Sequence, residues 1–317
     1  MSSNSNSVGD KKKDYIELFY WGGNFAGRGE YVRLMLSYCG FPWKDVSREE
    51  KSSDTAFSFI RLYRGKANDK YDKGHLYPVM WPPIIADHMT NNDVGNDRKR
   101  KAPGDDDGGD EAAEDKQQFE PIVMNQTPAI LTYLARRSME LAAKEGVTNV
   151  NGDAYPSNLI PSKPIDEAHM NQLMLAAFDC LSGAEQAHHP VNAHDSYVSQ
   201  KKEADESMKK FVADRLNMYL MQFEKVLERQ KSTPYLVGSN LTIADLVVYN
   251  LIRGYRSTLK DHYKANTTIP LLKQHTVHME ALSPIKAFLE SDHCTKLEAE
   301  TSKPDALEPY VQTNSFM

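Results

Sequence analysis

The hydrophobic pattern of the chain begins with a strand period. Residues Tyr15–Trp21 alternate, with Leu18 and Tyr20 on the same side, and this period of two residues is typical of a β-strand. Over Glu30–Cys39 the apolar residues follow helical spacing, and Gly40 then supplies a stop signal. The pattern therefore predicts a strand, a glycine-rich loop and a helix. This arrangement brings a strand-end side chain close to the N–H groups of a helix start, where an anion is stabilised.

Short elements continue up to residue 145. The pattern predicts strands at 41–46, 81–87 and 120–125 and helices at 55–63 and from 127 onward. The third strand, in WPPIIAD, is entered through Pro82 and Pro83, which suits an edge, a tight turn or a cis bond. Thr127 is predicted to cap the helix that follows the fourth strand, with Pro128 at its first position.

The second half of the chain has only helical periodicity. Residues 146–164 are rich in turn formers and are predicted to be a linker. In LTIADLVVYNL, Thr242 and Asp245 form an aspartate version of a capping box, and Leu241 and Leu246 can pack as a hydrophobic staple. The order of elements predicts an α/β domain followed by an all-α domain.

Two segments have almost no apolar residues. They are the N-terminal tail 1–14 and an insertion at about 88–119, which carries the basic run RKRK and the acidic run GDDDGGDEAAED. Such compositions cannot bury enough apolar surface to offset the entropy of ordering, so we expect both to be disordered. Residues 301–317 are assigned as a C-terminal tail. RKRK also fits a nuclear-import signal, but a solvated loop with neighbouring opposite charges is the favoured interpretation.

Composition excludes several classes of function. A net charge of −6 argues against nucleic acid as the main partner, and no apolar run approaches the ~20 residues of a membrane span. Three cysteines without a CxxC motif argue against disulfides or a zinc site and fit a reducing compartment. His188, His189 and His194 are interpreted as a surface helix end. We therefore expect a cytoplasmic protein without a metal or a bound cofactor.

Five stretches, in this order and at suitable spacing, resemble a cytosolic glutathione transferase. They are LFYW followed by GRGE, PPII, QT before AILTYLAR, VGSNLTIAD, and IPLLKQHTVHMEALSPIKAFLES. Tyr20 at the strand end resembles the tyrosine-type classes (sigma, pi, mu and alpha). The resemblance implies a thioredoxin-like βαβαββα domain at 15–145 and an all-helical domain at 165–300. It also implies a homodimer that conjugates glutathione, as co-substrate, to small apolar electrophiles in detoxification.

The resemblance assigns a role to each candidate site residue. Tyr20 would donate its hydroxyl hydrogen bond to the glutathione thiolate, although its loop to Gly27 is about two residues longer than in the tyrosine classes. Gln126 and Thr127 would receive the γ-glutamyl carboxylate, and Pro83, or else Pro82, would be the cis-proline that presents backbone to the cysteinyl part.

Two further assignments carry alternatives. Arg28 resembles an arginine near the glutathione carboxylates, but a salt bridge to a neighbouring acid explains it equally well. Asp179 would contact the α-amino group of glutathione across the dimer interface. For the grip on the glycyl carboxylate, Lys66, Lys70 and Lys73 are available and nothing selects among them.

Two other functions fit the same residues. A glutathione-dependent isomerase or peroxidase would need the same thiolate and therefore the same tyrosine. A non-catalytic binding or scaffold protein with this fold is favoured by the longer first loop and by the Pro82-Pro83 doublet, because Pro82 lacks an N–H.

Overall fold

The structure is a computed structural model. It describes residues 15–22, 25–51, 77, 79–89, 121–193, 195 and 198–297. The predictions for both tails, for most of the insertion at 88–119, for the helix at 55–63, for His194 and for the three candidate lysines lie outside these residues.

Among the described residues, four strands form one mixed sheet in the order β2-β1-β3-β4. The strands are β1 (Ile16–Phe19), β2 (Trp43–Asp45), β3 (Ile84–Asp87) and β4 (Ile122–Asn125). β1 pairs in parallel with β2 and antiparallel with β3, and β3 pairs antiparallel with β4. Each strand lies within a segment that the hydrophobic pattern predicts, so these strand predictions are confirmed.

Helices surround the sheet, and the regular elements that the structure describes after residue 145 are all helical. In the first half they are α1 (Gly27–Cys39), α2 (Val46–Glu49) and α3 (Thr127–Ala142). In the second half they are α4 (Pro164–His188), α5 (Lys201–Lys210), α6 (Asn217–Arg229), α7 (Ile243–Thr258), α8 (Lys260–Ala265), α9 (Pro270–Ala281) and α10 (Ser283–Glu290). A π-helical turn, Phe211–Leu216, joins α5 to α6 without a break.

The stop signal of α1 acts as predicted. Gly40 adopts a left-handed conformation (φ 67°), and its N–H donates to the carbonyls of Leu36 and Ser37. Glycine accepts this conformation without the steric cost that a Cβ would add. The helix consequently ends at Cys39, and the chain turns into β2 three residues after Gly40.

The two faces of the sheet bury different sets of side chains. On one face, Leu18 and Ile85 join a large core that continues through α1 and α3 into the helical half, as far as Tyr255. On the other face, Phe19 and Ile84 belong to a small cluster completed by Val46, Val79 and Ala86. This division follows from the alternation of side chains along a strand. Because the large core is shared, the two halves of the chain pack as one unit.

Two local predictions are wrong. Thr127 is the first residue of α3 and not its cap, so Gln126 occupies the capping position and Pro128 is the second helical residue. His188 is buried at the end of α4 and does not lie on the surface; burial lowers the pKa of its imidazole to about 4. The three cysteines are free and buried, and all three pack within the large core.

The capping box at the start of α7 is confirmed. The buried carboxylate of Asp245 accepts hydrogen bonds from the Thr242 backbone N–H (2.8 Å) and hydroxyl (2.9 Å) and from the Leu236 N–H (2.8 Å). His275 Nε2 lies 3.1 Å from the same carboxylate. One side chain therefore holds the start of α7, the preceding loop and α9 together.

We expect Asp245→Asn to lower the free energy of unfolding by about 3 kcal/mol, because an amide NH₂ would face donors in a buried site. Urea unfolding followed by circular dichroism measures the change. Asp261→Asn, at an exposed position on α8, is the matched control and should cost less than about 0.5 kcal/mol. Similar losses in the two variants would contradict the role of Asp245.

Within the described ranges, no helix has the length and apolar composition that crossing a membrane requires.

Candidate active site

Strand pairing brings the predicted site residues to one edge of the sheet. The register pairs Phe19 with Ile84 and Ile84 with Asn125, so these residues form one row across three strands. The adjacent residues Tyr20, Pro83 and Gln126 must then lie together just beyond that row. We call Tyr20, Pro83, Gln126 and Thr127 the sheet-edge site.

The side chain of Tyr20 is buried beneath the start of α1. Its hydroxyl oxygen accepts a hydrogen bond from the backbone N–H of Arg28 at 2.9 Å, and its own N–H donates to the Ser47 hydroxyl at 3.1 Å. The ring fits because Gly27 and Gly29 lack side chains: a Cβ at Gly27 would lie 2.3 Å from the Tyr20 hydroxyl oxygen. The hydroxyl is therefore placed at the N-terminus of α1 with its own proton left to donate.

The environment keeps the Tyr20 hydroxyl protonated. Burial raises the pKa of Tyr20 to about 12, against the opposing effects of the Arg28 N–H and the Arg33 guanidinium. The Arg33 guanidinium carbon lies 5.7 Å from the centre of the ring. A neutral phenol at pH 7 is a hydrogen-bond donor and a poor base, and accepting the N–H bond polarises its O–H further. The group is suited to stabilising a neighbouring anion.

At the start of α3 the backbone is strained and a buried hydroxyl is unpaired. Gln126 has a φ of 70°, a conformation that non-glycine residues rarely adopt and that often occurs at functional sites. Thr127 is buried, and its hydroxyl oxygen has no hydrogen-bond partner among the described residues. Buried polar groups are usually paired. This hydroxyl, with the backbone N–H groups at the start of the helix, is suited to receiving a carboxylate.

The peptide bond between Pro82 and Pro83 is cis, so Pro83 is the cis residue of the doublet. Pro83 is buried and Pro82 is partly exposed. Beside them the Asn125 side-chain amide donates to the Trp81 carbonyl at 3.3 Å. The backbone before β3 is thereby attached to the end of β4. Contact of this backbone with glutathione stays a prediction.

Arg28 makes the ion pair that was one of its two predicted roles. Its guanidinium donates to the Ser182 hydroxyl at 2.7 Å and lies 3.9 Å from the Glu185 carboxylate, both on α4. It also lies 5.7 Å from the centre of the Phe178 ring. Arg28 therefore connects the first half of the chain to the second at the rim of the site. Asp179, next to Phe178, is exposed on α4, and its role across a dimer interface stays a prediction.

Sequence reasoning missed a buried charged network behind the site. Glu30, Arg33 and Asp45 are all buried, and Arg33 Nε donates to Asp45 at 2.6 Å. The sequence contained a signal for this network. Glu30 and Arg33 have opposite charges and lie one helical turn apart, on a helix that has to bury an apolar face. Ser47, which holds the Tyr20 backbone, had no such signal. Among the described residues, no group of three or more His, Cys, Asp or Glu could hold a metal ion.

Comparison with known proteins identifies the architecture. Residues 185–292 match the family model of the glutathione S-transferase C-terminal domain. The solved structure of NaGST-2 superposes over 88% of this chain and 98% of its own, with a TM-score of 0.55 and 15% identity. The chain has the glutathione transferase fold. The thioredoxin-like first domain and the all-helical second domain expected from the sequence are thereby confirmed.

Two further structures share this glutathione transferase fold. The prostaglandin synthase D of Nilaparvata lugens is 14% identical and covers 87% of this chain and 98% of its own, with a TM-score of 0.53. Rat hPGDS, in complex with a quinoline, is 13% identical and covers 87% and 96%, with a TM-score of 0.52. No curated protein matches the chain. At these identities the likeness establishes the fold, and the activity has to be argued from the site.

Proposed function

We propose that this protein is a glutathione transferase that adds the thiolate of glutathione to small apolar electrophiles. The observation that carries the proposal is the Tyr20 hydroxyl. It is buried and neutral, accepts the Arg28 N–H, and retains its own proton for a further acceptor. The resemblance implies a cytoplasmic homodimer, and we include both in the proposal.

The strength of one hydrogen bond is sufficient for the required ionisation. A free thiol has a pKa of ~8.5. A hydrogen bond to a charged group contributes ~1.5–3 kcal/mol, which corresponds to a decrease of about one to two pKa units. Donation from Tyr20 would therefore ionise the thiol near pH 7, with its proton released to solvent. The sulfur then forms a bond to the electrophilic carbon, and the leaving group departs with its bonding electrons.

The rest of the sheet-edge site would position the glutathione backbone. The Thr127 hydroxyl and the first N–H groups of α3 would hold the γ-glutamyl carboxylate, since an anion is stabilised at a helix N-terminus. The chain before β3 would contact the cysteinyl part. Pro82 can accept there through its carbonyl but has no N–H to donate, so we expect one hydrogen bond fewer than a backbone pair would provide.

Thr127→Val is expected to raise the KM for glutathione about tenfold, because a hydrogen bond to a charged carboxylate is lost. The kcat should change less than about twofold, because this contact is made equally in the ground state and the transition state. Steady-state kinetics at varied glutathione concentration measures both constants.

Two variants control for this experiment. Thr127→Ser keeps the hydroxyl and should behave like the wild type. Thr132→Val removes the next threonine hydroxyl of α3, which donates to the Pro128 carbonyl within the helix. A comparable rise of KM in Thr132→Val would show that the effect is on the helix and not on the carboxylate.

The alternative to an enzyme is a non-catalytic binding protein with the same fold. Retention on glutathione-agarose, followed by an activity assay, distinguishes the two. An enzyme should be retained, elute with free glutathione, and convert a dinitrophenyl halide to its thioether. Retention without turnover would favour a binding role. A protein that flows through would contradict glutathione as a ligand.

A glutathione-dependent isomerase or peroxidase would use the same thiolate. The fold likeness to a prostaglandin synthase D supports isomerisation as the second candidate. Turnover of an endoperoxide without consumption of glutathione would distinguish isomerisation from conjugation.

A further inference from the structure

The carboxylate of Glu30, in the first turn of α1, is a meeting point for three distant parts of the chain. It accepts from Arg253 of α7 at 3.0 Å, from the Thr295 N–H at 2.9 Å, and from the Thr295 hydroxyl at 2.7 Å. Arg33 of α1 donates to it at 3.3 Å, and Arg48 of α2 lies 3.8 Å away. Thr295 belongs to the segment 291–297 after α10, which we call the C-terminal clasp.

The network is charged and almost completely buried. Two carboxylates, of Glu30 and Asp45, lie among the guanidinium groups of Arg33, Arg48 and Arg253. Burial alone would raise the pKa of Glu30, but the three arginines and the Thr295 hydroxyl outweigh burial and lower it to about 2. Because the charge persists at neutral pH, every donor around Glu30 is constrained in position.

The clasp is attached to both halves of the protein. Arg253 donates to the Thr295 carbonyl and to Cys294 Sγ, the latter at 2.9 Å. Arg48 donates to the His293 carbonyl at 2.7 Å and also to the Thr295 hydroxyl. The clasp therefore connects α7 of the helical domain to α2 and α1 of the first domain.

Arg33 and Arg48 also hold the backbone at Phe25 and Ala26, next to the Tyr20 ring. Arg33 donates to the carbonyls of Phe25 at 2.9 Å and Ala26 at 3.2 Å, and Arg48 donates to the Phe25 carbonyl at 3.3 Å. The Phe25 ring packs against Tyr20 with 5.8 Å between centroids. Arg33 also lies over the Tyr20 ring. The backbone just before α1 and the Tyr20 ring are thus connected to Glu30 through Arg33 and Arg48.

We propose that Glu30, Arg253 and Thr295 are positioning residues for Tyr20: the C-terminal clasp holds Glu30, Glu30 holds Arg33 and Arg48, and these set the Tyr20 hydroxyl against the sulfur. This inference rests on the proposed function. Residues near the end of the described chain would thus affect chemistry that takes place at Tyr20, directly after β1. None of these residues touches the substrate.

Thr295→Val tests the proposal, because it removes the hydroxyl and keeps the backbone donor and the side-chain shape. We expect kcat for conjugation to fall about tenfold, since a small displacement of a catalytic group has a large effect on rate. The acidic limb of the pH–rate profile should move up by ~1 unit, which corresponds to a tenfold smaller thiolate fraction. The KM for glutathione should stay within about twofold.

Thr276→Val is the matched control. Thr276 is also fully buried, and its hydroxyl donates to the Leu272 carbonyl inside α9, away from Glu30. It should lower the melting temperature without moving the pH–rate profile, and Thr295→Ser should restore the wild-type profile. If Thr295→Val fails to fold, Thr295→Ala removes the same hydroxyl with a smaller side chain. An unchanged pH–rate profile in the folded Thr295 variant would overturn the proposal.

A second readout does not depend on activity. In protein labelled with ¹³C at the tyrosine ζ-carbon, the Tyr20 resonance is assigned as the one that Tyr20→Phe removes. It should shift in Thr295→Val and stay in place in Thr276→Val. If the wild type neither ionises nor conjugates glutathione, the proposed function fails, while this resonance still reports whether the clasp positions Tyr20. An unmoved Tyr20 resonance overturns the positioning role whatever the activity.

Discussion

Replacing Tyr20 with phenylalanine is expected to lower kcat/KM for glutathione conjugation by about 8- to 25-fold at pH 7. The variant loses the hydroxyl that lies at the N-terminus of α1. Without this donor the pKa of bound glutathione should return toward ~8.5, so the thiolate fraction falls by the corresponding factor. Affinity for glutathione should change little, because the contacts proposed at Thr127 and Pro83 do not involve the Tyr20 hydroxyl.

The ultraviolet difference spectrum of bound glutathione, read at thiolate wavelengths across pH, measures this directly. The wild type should show thiolate near neutral pH, and Tyr20→Phe should show it only about one to two units higher. Tyr15→Phe, the same chemical change at the other end of β1, is the control and should match the wild type. If glutathione binds but ionises identically in wild type and Tyr20→Phe, Tyr20 is not the activating donor and a binding role becomes the better explanation.

Gly29→Ala should destabilise the protein by about 1–3 kcal/mol, although alanine is the better helix former by about 1 kcal/mol. A Cβ at Gly29 would lie 2.4 Å from Cδ1 and 2.7 Å from Cγ of Tyr20. Because the ring is buried and confined, either the ring or α1 has to move. We expect a loss of kcat/KM similar to that of Tyr20→Phe. Thermal unfolding and conjugation kinetics measure the two effects.

A double-mutant cycle identifies the cause. In a Tyr20→Ala background the clash is absent, so Gly29→Ala should there be neutral or stabilising, as helix propensity alone predicts. The coupling between the two positions should then be ~1–4 kcal/mol. A Gly29→Ala protein with a raised melting temperature would show that the ring is free to adjust, and the close packing around Tyr20 would lose its proposed role.

The sequence by itself determined the local elements. The alternation in β1, the glycine after α1, and the capping box of Thr242 and Asp245 all appear where the pattern predicts them. These features depend on residues within about four positions of each other, because strand alternation, helix spacing and capping are local properties of the backbone. The positions of Tyr20, Pro83 and Gln126 at the ends of these elements follow from the same local patterns, whereas their alignment depends on how the strands pair.

Only the tertiary structure decided which partners these residues meet. In the structure Arg28 pairs with Glu185, and His188 is buried. Thr127 lies inside α3, and its hydroxyl is unpaired among the described residues. The structure also brings Thr295 to Glu30, across 265 positions of the chain. No local pattern encodes such a contact, because it depends on how α1, α7 and the C-terminal clasp pack around one shared core. The positioning role that we propose for Glu30, Arg253 and Thr295 would make the chemistry of Tyr20 depend on that packing as well as on the tyrosine itself.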